Sequence, residues 1–185
     1  MTNSDIFDHL TVGGFTYAQC KNSWSKDVRK LLKAPIEHKH DLFIRKCLTA
    51  GRTEVMGSLD GTPIHIKDTP LQCVDVVSSY PNSCIAEGNM YPCGEIIEVE
   101  QQNSSKIGFY RVTIKQREDL PKVLPKRDFD DSSKPLDWKF KGRFETFCTT
   151  EDINVLREYN HEVAVHEGLE FQNVIAGKEI FSVIE

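Results

Sequence analysis

Asp75 is the residue whose position points most directly to chemistry. It lies inside residues 71–77, an apolar and β-branched run that predicts a buried strand, where a carboxylate is out of place. From residue types alone, two interpretations stay open. Either Asp75 forms the turn at the strand end, with Ser78 as a helix cap and Tyr80 as a core aromatic, or a rigid strand presents a carboxylate. Carboxylate oxygen is a ligand that a hard cation such as Mg²⁺ prefers.

The histidines and cysteines do not predict a second metal site. His38 and His40 would lie on the same side only in an extended chain, and no third ligand is evident, so surface positions are favoured. His161 and His166 are interpreted as structural. None of the six cysteines forms a C-x-x-C pair. Cys47, Cys73 and Cys84 lie among apolar residues and are interpreted as small buried side chains in a reducing compartment.

Helical elements are predicted from apolar spacing and from capping residues. After Gly13-Gly14, Phe15 and Tyr17 are interpreted as the start of a short extended stretch. Ser25 is the expected N-cap of the first helix. The predicted helices cover residues 26–33, 37–48 and 81–86, the last closed by Gly88, and a further helix begins at Thr149 or Thr150.

Strands are predicted from alternation and from β-branched runs. The clearest case is residues 106–115, where Phe109, Arg111 and Thr113 alternate with apolar neighbours. The predicted strands cover residues 71–77, 95–100, 106–115 and 138–148, with a final strand around Val163 and Val165. Three prolines make residues 118–137 a long loop, and long loops in compact domains are usually functional or mobile.

Composition is that of an ordinary folded domain. The 185 residues are 39% hydrophobic and 28% charged, with a net charge of -5, which does not by itself suggest nucleic-acid binding. Residues 115–143, however, hold nine basic and six acidic side chains, a local charge of +3. This window is interpreted as a solvated loop of mixed charge, with a DNA track as the alternative.

The sequence shows no membrane segment and no export signal. No apolar run approaches the roughly 20 residues that a membrane helix needs. The polar residues 1–5 lack the basic and apolar regions of a signal peptide. We therefore expect an intracellular protein in a reducing compartment that is not secreted and does not contact a membrane. Nucleus, cytoplasm and mitochondrion are not distinguished.

Four segments in order carry a family resemblance. Residues 75–81, Asp-Val-Val-Ser-Ser-Tyr-Pro, resemble the first palm motif of family B DNA polymerases, Asp-x-x-Ser-Leu-Tyr-Pro, with Ser79 in place of leucine. Residues 51–54 resemble the Gly-Gly-Arg-Thr-Glu segment of the protein-primed enzymes of organelles, viruses, linear plasmids and self-synthesising transposons, with Ala50 replacing the first glycine. Residues 91–94 resemble their Tyr-Pro-hydrophobic-Gly turn. Residues 144–153 and 163–171 resemble the segment before the fingers.

The resemblance implies roles for individual residues. Asp75 would bind catalytic Mg²⁺, with the backbone carbonyl of Val76 as a second contact, in an in-line nucleotidyl transfer. Backbone N–H groups at Ser78 and Ser79 would contact the triphosphate of an incoming deoxynucleoside triphosphate. Tyr80 would lie under its sugar and exclude a 2′-hydroxyl. By the same resemblance, Gly51 and Arg52 would approach the DNA template or primer backbone.

The implied fold is α+β: a partial polymerase palm with a mixed or antiparallel sheet, flanking helices and a long inserted loop region. We divide the chain into residues 1–47, a remnant or linker before the palm; 48–115, the palm segment with the first catalytic motif; and 116–185, the insertion and the segment before the fingers. The insertion falls where protein-primed enzymes contact their priming protein, which makes a terminal protein a further candidate partner.

The second Asp-Thr-Asp motif and the fingers helix of the family are not recognisable in these residues. One carboxylate cannot hold two Mg²⁺ ions in reactive geometry, so we expect this chain alone to be inactive, as a fragment, a truncated gene copy or one part of a split enzyme. A non-catalytic module that binds DNA or a priming protein is the alternative function. An unrelated α+β domain without a nucleic-acid role is a third.

Overall fold

A computed structural model describes residues 12–32, 35–48, 79–103, 105–120, 122–131 and 133–181, with backbone alone for residues 12–17 and 79–81. Six helices and four strands are found in these ranges. The helices are α1 Val12–Ser23, α2 Lys26–Leu32, α3 His38–Cys47, α4 Ser79–Ile85, α5 Thr150–Glu158 and α6 Gly177–Ile180. The strands are β1 Met90–Val99, β2 Gly108–Lys115, β3 Arg143–Thr149 and β4 Glu162–Ala176. The predicted strand over residues 71–77 lies outside the described residues.

The four strands form one antiparallel sheet in the order β1-β4-β2-β3. The longest strand, β4, pairs with β1 through its second half and with β2 through its first half. Helices flank this sheet, so the predicted α+β class with an antiparallel sheet is confirmed, and the described strands contain no parallel pair.

The alternation predicted for β2 is confirmed. Tyr110, Val112 and Ile114 have no solvent exposure, while the residues between them lie on the opposite face of the sheet. Ile153 and Leu156 of α5 belong to the same buried cluster. This packing of one helix on one sheet face forms the main core of the described residues.

The start of α5 also agrees with prediction. Thr149 is the N-cap, and its hydroxyl accepts a hydrogen bond from the Asp152 backbone N–H at 3.2 Å. The Asp152 carboxylate in turn accepts from the Thr149 backbone N–H at 2.9 Å, which completes a capping box. The acidic first turn complements the helix dipole.

The final strand is longer than predicted. It continues through Ala176, because β1 pairs with it along the whole of its second half, and β2 pairs with it as far as Glu170. Glu170 is the clearest example, since it is only 3% exposed but accepts hydrogen bonds from the Tyr110 hydroxyl at 2.9 Å and the Asn103 backbone N–H at 2.8 Å. Because both hydrogen bonds satisfy the Glu170 carboxylate, this charged residue can be buried within a strand. Its polarity alone would not predict a buried strand position.

Residues 12–23 form α1, so the prediction of an extended stretch at Phe15 and Tyr17 is wrong. The glycine pair indicated a turn through local propensity, which tertiary packing often overrides. At the end of the helix Cys20 is buried, and Trp24 follows it into a second core. The helices predicted near α2 and α3 are confirmed, and the Ser25 hydroxyl accepts from the Val28 backbone N–H at 3.2 Å, as expected of an N-cap.

The other predicted elements are confirmed with shifted ends. The helix expected at residues 81–86 is α4, which begins at Ser79, and Gly88 follows it at φ 84°. The strand expected at 95–100 is β1, which begins at Met90 and tolerates Pro92 because it is a sheet edge among the described strands. β3 begins only at Arg143, since the preceding residues belong to the loop.

The long loop between β2 and β3 is mostly irregular, as predicted. Its two halves meet in one isolated antiparallel bridge between Lys126 and Asp137, with backbone hydrogen bonds of 2.9 Å. The Lys126 ammonium lies 4.1 Å from the centre of the Phe140 ring. This bridge holds residues 126–130 over the sheet face that α3 covers.

Cys20, Cys47, Cys84, Cys93 and Cys148 are free thiols, and Cys73 lies outside the described residues. Cys47 is buried as predicted, and burial raises the pKa of its thiol to about 12, while Cys84 is half-buried. None of the helices in the described ranges has the length and apolar character needed to cross a membrane.

Candidate functional site

The structure locates the predicted site residues only in part. Gly51, Arg52, Asp75, Val76 and Ser78 lie outside the described residues. Ser79 and Tyr80 form the first turn of α4, where the backbone is described. The contacts of all these residues with nucleotide, metal and DNA therefore stay predictions. The structure does show which residues hold α4 in place, and it shows a second surface with aromatic and basic side chains.

Two contacts, with Ser83 and with Cys84, hold the C-terminal part of α4, and a third joins Asn89 to Gly177. The Asn89 side-chain amide donates a hydrogen bond to the Ser83 carbonyl, while the Asn89 backbone carbonyl accepts from the Gly177 N–H at 3.0 Å. Tyr91 forms a side-chain hydrogen bond with Cys84; burial, with that bond as a further cause, raises the pKa of Tyr91 to about 12. The helix is thus fastened to β1 and to α6 rather than exposed on a free loop.

A second feature is a groove of about 820 Å³ between α3 and the loop at residues 126–130. We call it the α3 groove. It combines aromatic rings with basic side chains that come from three separate parts of the chain. The residues that matter for its chemistry are Phe43, Lys46, Lys126, Arg127, Phe129 and Phe147.

Phe147 of β3 is the aromatic centre of the α3 groove. Phe43 packs edge-on against it with ring centres 5.1 Å apart, and Phe129 does so from the loop at 4.9 Å. The Lys46 ammonium lies 5.0 Å from the centre of the same ring. Phe147 itself is only 8% exposed, so the groove presents the half-buried rings of Phe43 and Phe129 beside a positive charge. Aromatic rings beside cations are the combination that single-stranded nucleic acids contact by stacking and by phosphate pairing.

The cations of the α3 groove differ in how they are compensated. Arg111 lies between two carboxylates, with nitrogen-to-oxygen distances of 2.7 Å to Glu167 and 3.1 Å to Glu145. By contrast, Lys46 and Arg127 form no ion pair with any carboxylate of the described ranges. Arg127 lies beside the Phe129 ring, 5.8 Å from its centre, and donates to the Leu48 carbonyl at 3.3 Å.

Sequence reasoning found only part of this groove. The basic window at residues 115–143 indicated Lys126 and Arg127, with a solvated loop as the favoured interpretation. Phe43, Lys46 and Phe147 were missed because they look like ordinary amphipathic positions of a helix and a strand. Their common location depends on packing between elements about 100 residues apart, for which a single sequence carries no signal.

The four histidines that the structure describes do not form a metal centre. His40 lies on α3 with its Nε2 2.9 Å from a Glu98 carboxylate oxygen, and the Lys39 ammonium lies 2.7 Å from the same oxygen. The hydrogen bonds from these two side chains, Lys39 first, lower the pKa of Glu98 to about 2. Buried His161 accepts from the Arg117 backbone N–H at 3.0 Å. Across the described part of the chain, no three His, Cys, Asp or Glu side chains are grouped so that they could bind a metal ion.

Comparison with known proteins identifies the relatives of this sequence. Residues 1–180 match the family described as DNA polymerase type B, organellar and viral. No significant match exists among curated proteins. The family match extends over both the predicted palm motif and the α3 groove.

Solved structures with a similar fold are phi29 DNA polymerases. The ternary complex of that enzyme with primer-template DNA and incoming nucleotide matches with a TM-score of 0.67 at 16% identity, over 96% of this chain. An orthorhombic crystal form of phi29 DNA polymerase gives a TM-score of 0.65, also at 16% identity. At this identity the likeness concerns the fold. The chain spans 31% of the length of the polymerase in the ternary complex.

Proposed function

The chain belongs to the organellar and viral type B DNA polymerases, and on that basis we propose that it forms part of the palm of a DNA-directed DNA polymerase. The observation that carries the proposal is the family match over residues 1–180, which includes the Asp-Val-Val-Ser-Ser-Tyr-Pro motif at residues 75–81. The proposed activity is template-directed deoxynucleotidyl transfer in DNA replication. The chain alone is expected to bind its ligands without extending a primer.

Within this proposal Asp75 is the carboxylate that holds Mg²⁺, and the Val76 carbonyl is a second oxygen ligand. A bound Mg²⁺ would neutralise charge on the triphosphate during in-line transfer. Ser78 and Ser79 would contact the triphosphate, and Tyr80 would lie beside the deoxyribose. These assignments rest on the family motif, since the described side chains do not include them.

DNA is the proposed macromolecular partner. Gly51 and Arg52 are assigned to the template or primer backbone by the motif that they belong to. The α3 groove supports the same partner independently, because Lys46 and Arg127 are cations without carboxylate partners in the described ranges and they lie beside the aromatic rings of the groove. A priming protein is a further candidate partner, at the loop between β2 and β3.

The experiment that tests the proposal measures the affinity for a fluorescently labelled primer-template DNA by anisotropy, with Mg²⁺ and a complementary deoxynucleoside triphosphate or with EDTA. We expect wild-type chain to bind more tightly in the first condition. Asp75→Asn should abolish this gain and leave the affinity in EDTA unchanged or slightly higher, because a negative charge near phosphates is removed. Absence of any salt-dependent binding to DNA would refute the proposal.

A second candidate is a non-catalytic module that binds DNA or a priming protein, and the α3 groove is the observation that favours it. The same titration separates the two candidates. For a pure binding module, Asp75→Asn should not lower the affinity in Mg²⁺, whereas variants of the α3 groove should lower it in both conditions.

A further inference from the structure

α4 and α6 meet at one end of the sheet. β1 begins at Met90, shortly after α4, and β4 ends at Ala176, directly before α6. Met90 and Ala176 are partners in the antiparallel register, so the two helices flank the same pair of strand ends. A movement of α6 relative to this end of the sheet would therefore also move α4.

The contact between the two helices is made by backbone. Gly177 is buried, and a Cβ at this position would overlap the carbonyl oxygen of Cys84 in α4 and lie 3.0 Å from Cε2 of the Tyr91 ring. The φ of Gly177 is not in the left-handed region, since only Gly88, Gly94 and Gly142 among the described glycines have positive φ. Glycine is required here for close approach, not for backbone conformation.

α6 is also anchored by contacts with elements other than α4. Its Ile180 is buried, and the Ile180 carbonyl accepts a hydrogen bond from the Trp24 indole N–H at 2.8 Å. The following Phe181 packs edge-on against Tyr91 with ring centres 5.5 Å apart. A side chain added at Gly177 would therefore force α4 and α6 apart at their point of contact, and α6 is anchored there by Trp24.

From this geometry we infer that Gly177 is a positioning residue for the proposed nucleotide site: its backbone contact with Cys84 sets where α4 lies, and with it Ser79 and Tyr80. The inference rests on the proposed function of those two residues. α4 has seven residues, about 10 Å of helix, so a shift at Cys84 is carried to Tyr80 as a rigid movement. Asn89 stabilises the same position, since it bonds both Ser83 and Gly177.

The test compares Gly177→Ala with a matched control, Gly168→Ala. Gly168 lies nine residues earlier in the chain, and its added Cβ would overlap the Tyr110 ring, in the main core and not at α4. Both variants are expected to lose stability in urea. Two-dimensional ¹H–¹⁵N NMR of the whole chain then reports the backbone amides of Ser79 and Tyr80, and titrations with Mg²⁺–dATP and Mg²⁺–ATP report affinity and sugar selectivity.

We expect Gly177→Ala to shift the Ser79 and Tyr80 amides, to weaken Mg²⁺–dATP binding about tenfold and to reduce the preference over ATP, because a misplacement of ~1 Å is costly at such sites. Gly168→Ala should leave these amides and both affinities as in wild type. The inference is overturned if folded Gly177→Ala leaves the two amides in place, or moves them without a change in dATP affinity.

A second variant covers the case in which Gly177→Ala does not fold. Asn89→Ala removes the bond to the Ser83 carbonyl and adds no volume, and we expect it to shift the same amides in the same direction with a smaller loss of dATP affinity. Unchanged amides in Asn89→Ala would refute the inference. Failure of the proposed function is seen separately, as a wild-type chain that binds neither nucleotide while the amide shifts still report the Gly177 contact.

Discussion

Phe147 shows how a single strand residue can organise a surface. It receives Phe43 from α3, Phe129 from the loop and the Lys46 ammonium on its ring. Arg111 lies among neighbours of the opposite charge and is neutralised by them. Lys46, Lys126 and Arg127 are the basic residues of the α3 groove without a carboxylate partner in the described ranges, and they are the ones that DNA phosphates would meet.

Lys46→Ala and Arg127→Ala should each weaken binding of single-stranded DNA and lower the slope of log affinity against log salt by about 0.7, since each removes one phosphate contact. Anisotropy titrations at several salt concentrations measure both quantities. Lys141→Ala is the matched control, because Lys141 is exposed and paired with Glu118 at 3.1 Å, outside the groove. Equal losses in all three variants would show that the groove has no specific role.

A substitution of Tyr110 tests the buried hydrogen bond between its hydroxyl and Glu170 of β4. Its hydroxyl donates to Glu170 in the core, so Tyr110→Phe leaves a buried carboxylate with one partner fewer. We expect a loss of about 1–3 kcal/mol in the free energy of unfolding, measured with urea. Tyr159→Phe is the control, because that ring is 44% exposed, and it should change stability by less than about 0.5 kcal/mol. Equal stability of Tyr110→Phe and wild type would contradict the contact.

At the scale of elements, α3 is joined to the sheet through Phe43, through the ion pair of Lys39 with Glu98 and through the hydrogen bond of His40 with Glu98. The pKa of Glu98 is lowered to about 2 in the folded chain from an ordinary 4.5. The folded state thus binds this proton more weakly than the unfolded state. The resulting stabilisation is complete above about pH 4.5 and is lost as the pH falls towards 2.

Glu98→Gln should therefore lower Tm at neutral pH by a small amount, as expected for exposed pairs. The difference from wild type should shrink as the pH falls from about 4.5 to about 2. Thermal unfolding followed by circular dichroism across that range measures it. Glu87→Gln, at an exposed glutamate, is the control. A difference that does not vary with pH would mean that the Glu98 carboxylate does not stabilise the docked helix.

Helices and strands were predictable from the sequence where the local residue pattern and the burial in the fold indicate the same element. The alternation of β2 and the capping box at Thr149 are visible in the sequence and are present in the structure. The second half of β4 was not predictable, because Glu170 is polar and yet buried by a hydrogen bond from a strand 60 residues away. Likewise, α1 forms despite Gly13-Gly14, since the packing of Cys20 and Trp24 is not visible locally.

At the scale of the whole molecule, the antiparallel sheet carries the two proposed sites at different places. One end of β1 and β4 carries α4, with the proposed nucleotide contacts, and the face of β2 and β3 under α3 carries the aromatic groove. The family motif could be read from residues 75–81, since its chemistry is local. The groove could not, since Phe43, Arg127 and Phe147 come together only through tertiary packing.

The measurement that tests the central assignment most directly is paramagnetic NMR with Mn²⁺ in place of Mg²⁺, since both are hard cations that prefer oxygen ligands. Substoichiometric Mn²⁺ with dATP should broaden the amide signals of Val76 and Val77 in wild-type chain, and Asp75→Asn should abolish this broadening. Broadening that is the same in both proteins, or that falls instead on the exposed acidic loop at Asp128 to Asp131, would contradict a metal site at Asp75.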